Sequence, residues 1–326
     1  MNIFRTTAFL IVVITIFFGF HAPAQTLGSW ERVEHRSTFT LWDVTFTDSL
    51  RGYAVGDYGV ILRTTDGGSS WSQQLSARQL AFRNVHFFDD STGIASGFYG
   101  TCFRTTDAGE NWESIALGTE ATLPGMAVVG STVWLSGEDG TILKSTDRGL
   151  TWQSLNSGTD RMLDAISFAD ARHGWASSVQ RLLLRTTDAG ETWEKIPVDF
   201  FTAVTALHAR SAEECWMAGY HGLVMRSMDG GITWSEIDAY RTDYVDLTFD
   251  TRGRGWAVGD RGAVVHAAEG NMSWRLHDLT AAASLHAITF LPNNTAVAVG
   301  AAGAIYRLSE VYPPTLAPGA EEQVNE

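Results

Sequence analysis

The chain predicts an all-β fold, a seven-bladed β-propeller closed by its N-terminal strand, and three observations carry that expectation. First, a turn block ending in tryptophan returns six times: TTDGGSSW to Trp71, TTDAGENW to Trp112, STDRGLTW to Trp152, TTDAGETW to Trp193, SMDGGITW to Trp234 and the eroded AAEGNMSW to Trp274. The intervals are 41, 40, 41, 41 and 40 residues. A period of that length fits four short strands, one supersecondary unit too small to bury its own apolar face and therefore copied. Second, a glycine closing an apolar stretch recurs at Gly56, Gly97, Gly137, Gly219, Gly259 and Gly300, with Ser178 in its place once, so the repeats number seven. Third, the block missing from the seventh repeat has a candidate one period before Trp71, at Trp30. Trp30 to Glu34 is then the outer strand of the last blade, whose inner strands run from about His286 to Arg307, and pairing the chain ends removes exposed edges.

Residues 1–24 stand outside this pattern. A basic start at Arg5, an apolar run from Thr7 to Phe20 and the small residues Ala22-Pro23-Ala24 read as a secretory signal cleaved near Ala24. The propeller is assigned to residues 25–309 and a disordered tail to 310–326, where Val311-Tyr312-Pro313-Pro314 leads into a Pro, Gly and Glu-containing stretch. No later run is long and apolar enough to span a bilayer, so the expected location is secreted or periplasmic.

Each repeat explains its residue choices. The first strand alternates, as in Asp43-Val44-Thr45-Phe46, and the second, Gly52-Tyr53-Ala54-Val55-Gly56, puts an aromatic at a place later filled by Trp134, Trp175, Trp216 and Trp256. The third, Val60-Ile61-Leu62-Arg63, is continuously apolar until its end, as fits a strand covered on both faces. In the turn block, Asp66, Asp107, Asp147, Asp188 and Asp229 accept hydrogen bonds from their own turns, while the glycine two residues on tolerates a positive φ. These aspartates are structural, because a catalytic group is needed once and these recur in the same context. A basic series, Arg63, Arg104, Lys144, Arg185, Arg226 and Arg307 with His266 in the sixth repeat, reads as a strand-end pairing or stacking device.

Charge and cysteine usage narrow the function classes. With 23 Lys plus Arg against 37 Asp plus Glu and a net charge of −14, nucleic acid is not the expected partner. Cys102 falls in the second blade and Cys215 in the fifth, across the ring from one another and too far apart for a disulfide, so both are expected as buried free thiols.

The string from Gly52 to Trp71, G-Y-A-V-G-D-Y-G-V-I-L-R-T-T-D-G-G-S-S-W, resembles the repeat of the photosystem II stability/assembly factor family, a branch of the Asp-box (BNR-repeat) propellers, and the likeness runs from about Trp30 to Arg307. That resemblance implies a non-enzymatic, extracytoplasmic binding or assembly scaffold of photosynthesis acting on a protein client such as a membrane-complex subunit. The photosynthetic members carry an arginine-rich surface patch; the candidate patch in this chain, outside the repeating basic series, is Arg78, Arg83, Arg161, Arg181, Arg241 and Arg261, and the overall charge here is acidic. Other Asp-box propellers are sialidase-like glycoside hydrolases, and a non-hydrolytic glycan-binding propeller is a further alternative.

Catalytic motifs are sparse. No arginine precedes an Ile-Pro of the sialidase kind; Lys195-Ile196-Pro197 follows a turn block instead. Asp43, Asp57, Glu138, Asp164, Asp246 and Asp260 lie near strand ends on the upper side, but nothing pairs them as a glycosidase requires. The nine histidines show no metal-ligand spacing, so no catalytic residue, metal or cofactor is assigned, and a monomer is expected. What differs between blades is the face opposite the turn blocks. There Tyr58, Tyr99, Arg83, Arg161, Arg181, Tyr220, His221, Arg241, Tyr244 and Arg261 are the candidate binding residues, since aromatics interleaved with arginines characterise protein-binding surfaces.

Overall fold

The computed structural model describes residues 28–75, 79–198, 202–267, 273–277, 279 and 283–309. The signal segment, the tail and Arg78 lie outside them. Seven four-stranded antiparallel sheets are present, each running from an innermost to an outermost strand in sequence order except one. In that sheet the outermost strand is Trp30–Arg32, paired with Ile305–Leu308 in the register Trp30 with Leu308, Glu31 with Arg307 and Arg32 with Tyr306. Val33 extends the seam by donating its N–H to the Ile305 carbonyl at 2.9 Å. The ring is therefore a seven-bladed propeller latched by its N-terminal strand.

Burial follows strand rank. The second strand, such as Gly52–Gly56 or Gly255–Gly259, is buried throughout, while outer strands such as Ser72–Leu75 are largely exposed. The recurring glycine ends the second strand because the innermost strand of its own blade passes there: a Cβ on Gly56 would lie 2.0 Å from the Thr40 carbonyl oxygen.

Blades are bonded to one another through the turn blocks. Thr186 Oγ1 donates to Asp188 at 2.8 Å and receives the Gly190 N–H at 2.9 Å, while Asp188 also accepts the Thr192 N–H and hydroxyl at 2.9 and 2.6 Å. The Thr192 hydroxyl and N–H hold the Asp188 carboxyl at about 2, and Thr233 does the same for Asp229. Asp66, Asp107 and Asp147 are bonded likewise in their own blades. The turn so built receives side chains from the preceding blade. Tyr53 donates to the Ala108 carbonyl at 2.7 Å, Trp134 to Ala189 at 2.9 Å and Trp175 to Gly230 at 3.2 Å. Basic strand-end residues reach across too: Lys144 pairs with Glu191 at 2.9 Å, Arg63 with Glu110, and Arg307 Nε donates to the Gly67 carbonyl at 2.9 Å. This is the pairing role expected of that series. Cys102 and Cys215 are buried and free, and burial pushes the Cys102 thiol up to about 12, so neither supplies a thiolate at neutral pH.

Candidate functional site

The upper face is built from the tight turns that join second and third strands. At the tip of each turn one residue adopts left-handed backbone: Tyr58 at φ 55, Tyr99 at 53, Asp139 at 53, Arg181 at 60, His221 at 60, Arg261 at 56 and Ala302 at 54. Side chains rarely occupy this region because the Cβ crowds the backbone, and the cost is of order 1 kcal/mol each. The conformation aims each tip side chain away from the blade. Tyr99 is 77% exposed, Tyr58 49% and Tyr220, one position before a tip, 40%.

The outer rim over the fifth and sixth blades gathers three expected residues, since His221, Arg241 and Arg261 all line one cavity of about 660 Å³ together with Asp243 and Asp260. Asp243 accepts the His221 N–H at 2.7 Å, fixing that tip, and Asp260 accepts the Ser284 hydroxyl at 3.0 Å. Arg161 is exposed on another blade connection, where its Nη1 donates to the Gln180 carbonyl at 2.9 Å.

Two expected residues are placed differently. Tyr244 is fully buried and its hydroxyl donates to the Tyr240 carbonyl, so it presents no surface to a ligand. It occupies the place held by Leu41, Phe82, Leu123, Leu163, Val204 and Leu285 in the other blades, all at most 1% exposed, where the innermost strand enters the core. Arg83 belongs to an innermost strand, Phe82–Phe87, rather than to a loop, and points into the ring's central channel.

That placement comes from a bulge repeated around the ring. In five blades the innermost strand carries one extra residue against the second strand, and the bulged residues are Trp42, Arg83, Thr205, Val245 and His286. Pro124 and Asp164 hold the equivalent place just before Gly125 and Ala165 in the other two. All seven line one central cavity of about 450 Å³. Trp42 stacks on the His286 ring at 4.1 Å and carries the Arg83 guanidinium 3.8 Å from its centroid. Its indole donates to Asp57 at 2.7 Å, and His286 Nδ1 donates to the Leu41 carbonyl at 3.0 Å. Burial weighs against the Arg83 charge and lowers its pKa, the carboxylates of Asp57 and Asp164 only partly offsetting it. Sequence reading missed Trp42 and His286; the one trace was their spacing by whole repeats, with no shared chemistry to mark it.

The channel carboxylates are structural ties. Asp43 accepts the N–H of Val44 at 2.7 Å and of Val85, in the next blade, at 2.8 Å; Asp246 accepts Leu247 at 2.8 Å and Ile288 at 2.9 Å. Burial raises Asp43 to about 7 and Asp246 to about 6, against the pull of those N–H donors. Among the described residues no cluster of three or more His, Cys, Asp or Glu is arranged to hold a metal ion, and no helix is long and apolar enough to cross a membrane.

Comparison with known proteins agrees with this architecture. A solved structure described as YCF48 bound to D1 peptide is 20% identical, covers 88% of this chain and 99% of its own, and superposes with a TM-score of 0.74. YCF48 from Cyanidioschyzon merolae, also 20% identical, covers 86% of this chain and 98% of its own at a TM-score of 0.71. Among curated proteins, the photosystem II assembly lipoprotein Ycf48 of Synechococcus sp. (strain CC9605) is 37% identical over 54 residues, 17% of this chain and 16% of that protein. The matched segment thus spans about a sixth of that relative's length. The family described as photosynthesis system II assembly factor YCF48 matches residues 22–131 and 150–242, and the chain belongs to it.

Proposed function

We propose that this propeller is a non-enzymatic, extracytoplasmic scaffold that holds a protein client on its upper face during assembly of a membrane complex. The observation that carries the reading is the set of left-handed turn tips, which hold chemically different side chains (Tyr58, Tyr99, Arg181, His221 and Arg261) exposed on one face of a rigid ring. The family's assembly role and the relative described as bound to a D1 peptide support a protein or peptide client. The names of the curated relatives as lipoproteins support a location outside the cytoplasm.

A hydrolase would need carboxylates free to exchange protons with substrate. Asp43 and Asp246, the deepest in the channel, instead spend both oxygens on backbone N–H groups of two blades, which supports binding without turnover. The test is retention of proteins from envelope extracts by the wild type and by a variant with Tyr58, Tyr99, Tyr220 and Arg261 changed to alanine. Loss of a specific protein is the expected result. An identical retained set for both proteins sinks the reading, and loss of polysaccharide alone transfers it to glycan binding.

A further inference from the structure

We propose that His266 and His277 form a two-imidazole site for a first-row divalent metal ion of the zinc class, set in the seam between the sixth and seventh blades. The site stands apart from the upper face and needs no client.

The repeat supplies its own control. The place of His277, opposite Val264 and its equivalents, is aliphatic in every other blade: Leu75, Ile115, Leu155, Ile196 and Ile237 hold it, and Val33 holds it in the seventh. His266 takes the place that is Arg or Lys in the six other blades. Both departures fall in one blade, and both are histidines. The ladder shows why their spacing along the chain gave no metal signature. Val264 pairs with His277 and His266 with Arg275, so the two imidazoles are diagonal neighbours on one face of an antiparallel pair. Their ring centres are 4.9 Å apart.

That face packs against the seventh blade. Trp256 lies 4.9 Å from the His266 ring and 5.9 Å from the His277 ring, centre to centre, and belongs to the cluster that includes Leu308 and takes in Trp30 of the latch. Enclosed there, Nδ1 of His266 and Nε2 of His277 are buried and have no hydrogen-bond partner. A buried imidazole nitrogen without a partner is costly whether it carries a proton or a lone pair. Packing alone does not call for this arrangement, since Leu75 and Leu155 fill the His277 place in other blades with no polar atom to satisfy. One metal ion meets both nitrogens at once.

The spacing and the chemistry agree with that occupant. An ion about 2.0 to 2.1 Å from one nitrogen of each ring, at the tetrahedral angle, sets the two ring centres about 5 Å apart. Imidazole nitrogen suits zinc, copper and nickel, whereas magnesium and calcium prefer oxygen. Burial lowers the pKa of both rings, that of His266 to about 4, so at neutral pH they are in the uncharged form that a ligand needs. Arg254 and Arg275 act on His266 in the same direction and Asp250 against it, and the two guanidinium charges weaken the hold on a cation. With two protein ligands and water in the remaining positions, binding is reversible.

The experiment titrates the histidine-labelled full chain with Zn²⁺ at neutral pH and follows the imidazole nitrogens by NMR, the His266 and His277 signals being identified by their loss in His266→Arg and His277→Leu. These variants restore the residue types that other blades carry, so they are expected to fold. In the wild type both rings are expected to shift together and saturate at one equivalent of the ion, with Mg²⁺ leaving them in place. In His277→Leu the remaining His266 signal is expected to stay put over the same range, and His277 likewise in His266→Arg. Rings that do not respond to Zn²⁺ in the wild type, a His266 response unchanged in His277→Leu, or an equal response to Mg²⁺ each overturns the proposal.

Discussion

The indole of Trp134 donates to the carbonyl of Ala189, 2.9 Å away and in the next blade, and thereby ties the buried second strand of one blade to the turn block of its neighbour. Trp134 is fully buried and stacks on Phe168 with ring centroids 3.7 Å apart. Trp134→Phe keeps most of the ring and removes the donor, leaving a carbonyl unmet, for an expected loss of about 1 to 2 kcal/mol. Trp134→Ala adds a cavity and is expected to cost about 3 to 5 kcal/mol. Urea unfolding of both variants checks the order, and a Trp134→Phe protein as stable as wild type would mean that the hydrogen bond contributes nothing.

The latch strand is the next test. Trp30 is half-buried against the cluster around Leu308 and Trp256, so Trp30→Ala is expected to cost less than a core tryptophan, about 1 to 3 kcal/mol. Hydrogen exchange at Ile305–Leu308 is expected to accelerate before exchange elsewhere in the ring. Uniform acceleration around the ring would contradict a local latch.

The channel aspartates give stability a specific pH dependence. Their folded values, about 7 for Asp43 and about 6 for Asp246, lie above the ordinary value near 4, so the folded state holds more protons between these limits. Their contribution is therefore present below about pH 4 and is lost as pH rises toward 7. The buried His86, His208 and His266, lowered to about 4 by burial, act in the opposite sense across the same window. The difference in slope between wild type and Asp43→Asn/Asp246→Asn isolates the carboxylates. The variant is expected to gain stability relative to its own acid value as pH rises from 4 to 7, and parallel curves would show that these groups titrate normally.

At the upper tips, stability and binding are expected to separate. Tyr99→Gly relieves a left-handed side chain while adding backbone freedom to the unfolded chain, so unfolding should stay within about 1 kcal/mol of wild type. Client retention in the envelope pull-down is expected to fall. A large loss of stability would instead make Tyr99 a packing residue.

The ring was legible because its signals are local. An Asp with a glycine two positions on and a tryptophan closing the block specify a turn without reference to the rest of the chain, and their spacing counts the blades. Even Trp30 could be placed by the period alone. The tips were legible for the same reason, since Tyr58, Tyr99, His221 and Arg261 follow the second-strand glycine at a fixed offset. Arg83 and Tyr244 were misjudged because a bulge adds one residue to the strand, and a one-residue shift exchanges core for lumen. Where the extra residue falls depends on pairing with the second strand, which composition does not reveal.

The seam also sets an order of events. Trp30–Arg32 is among the earliest parts of the ring to be synthesised, and Ile305–Leu308, its partner, is the last strand among the described residues. Until the ribosome has finished the seventh blade, the opening strand has no ladder to join and the sixth blade presents a bare flank. A chain that stops short cannot complete the circle, and its unpaired edge remains open to proteases and to aggregation. Closure thus works as a length check on the product: only a chain translated through Leu308 can pair the two strands of the seam.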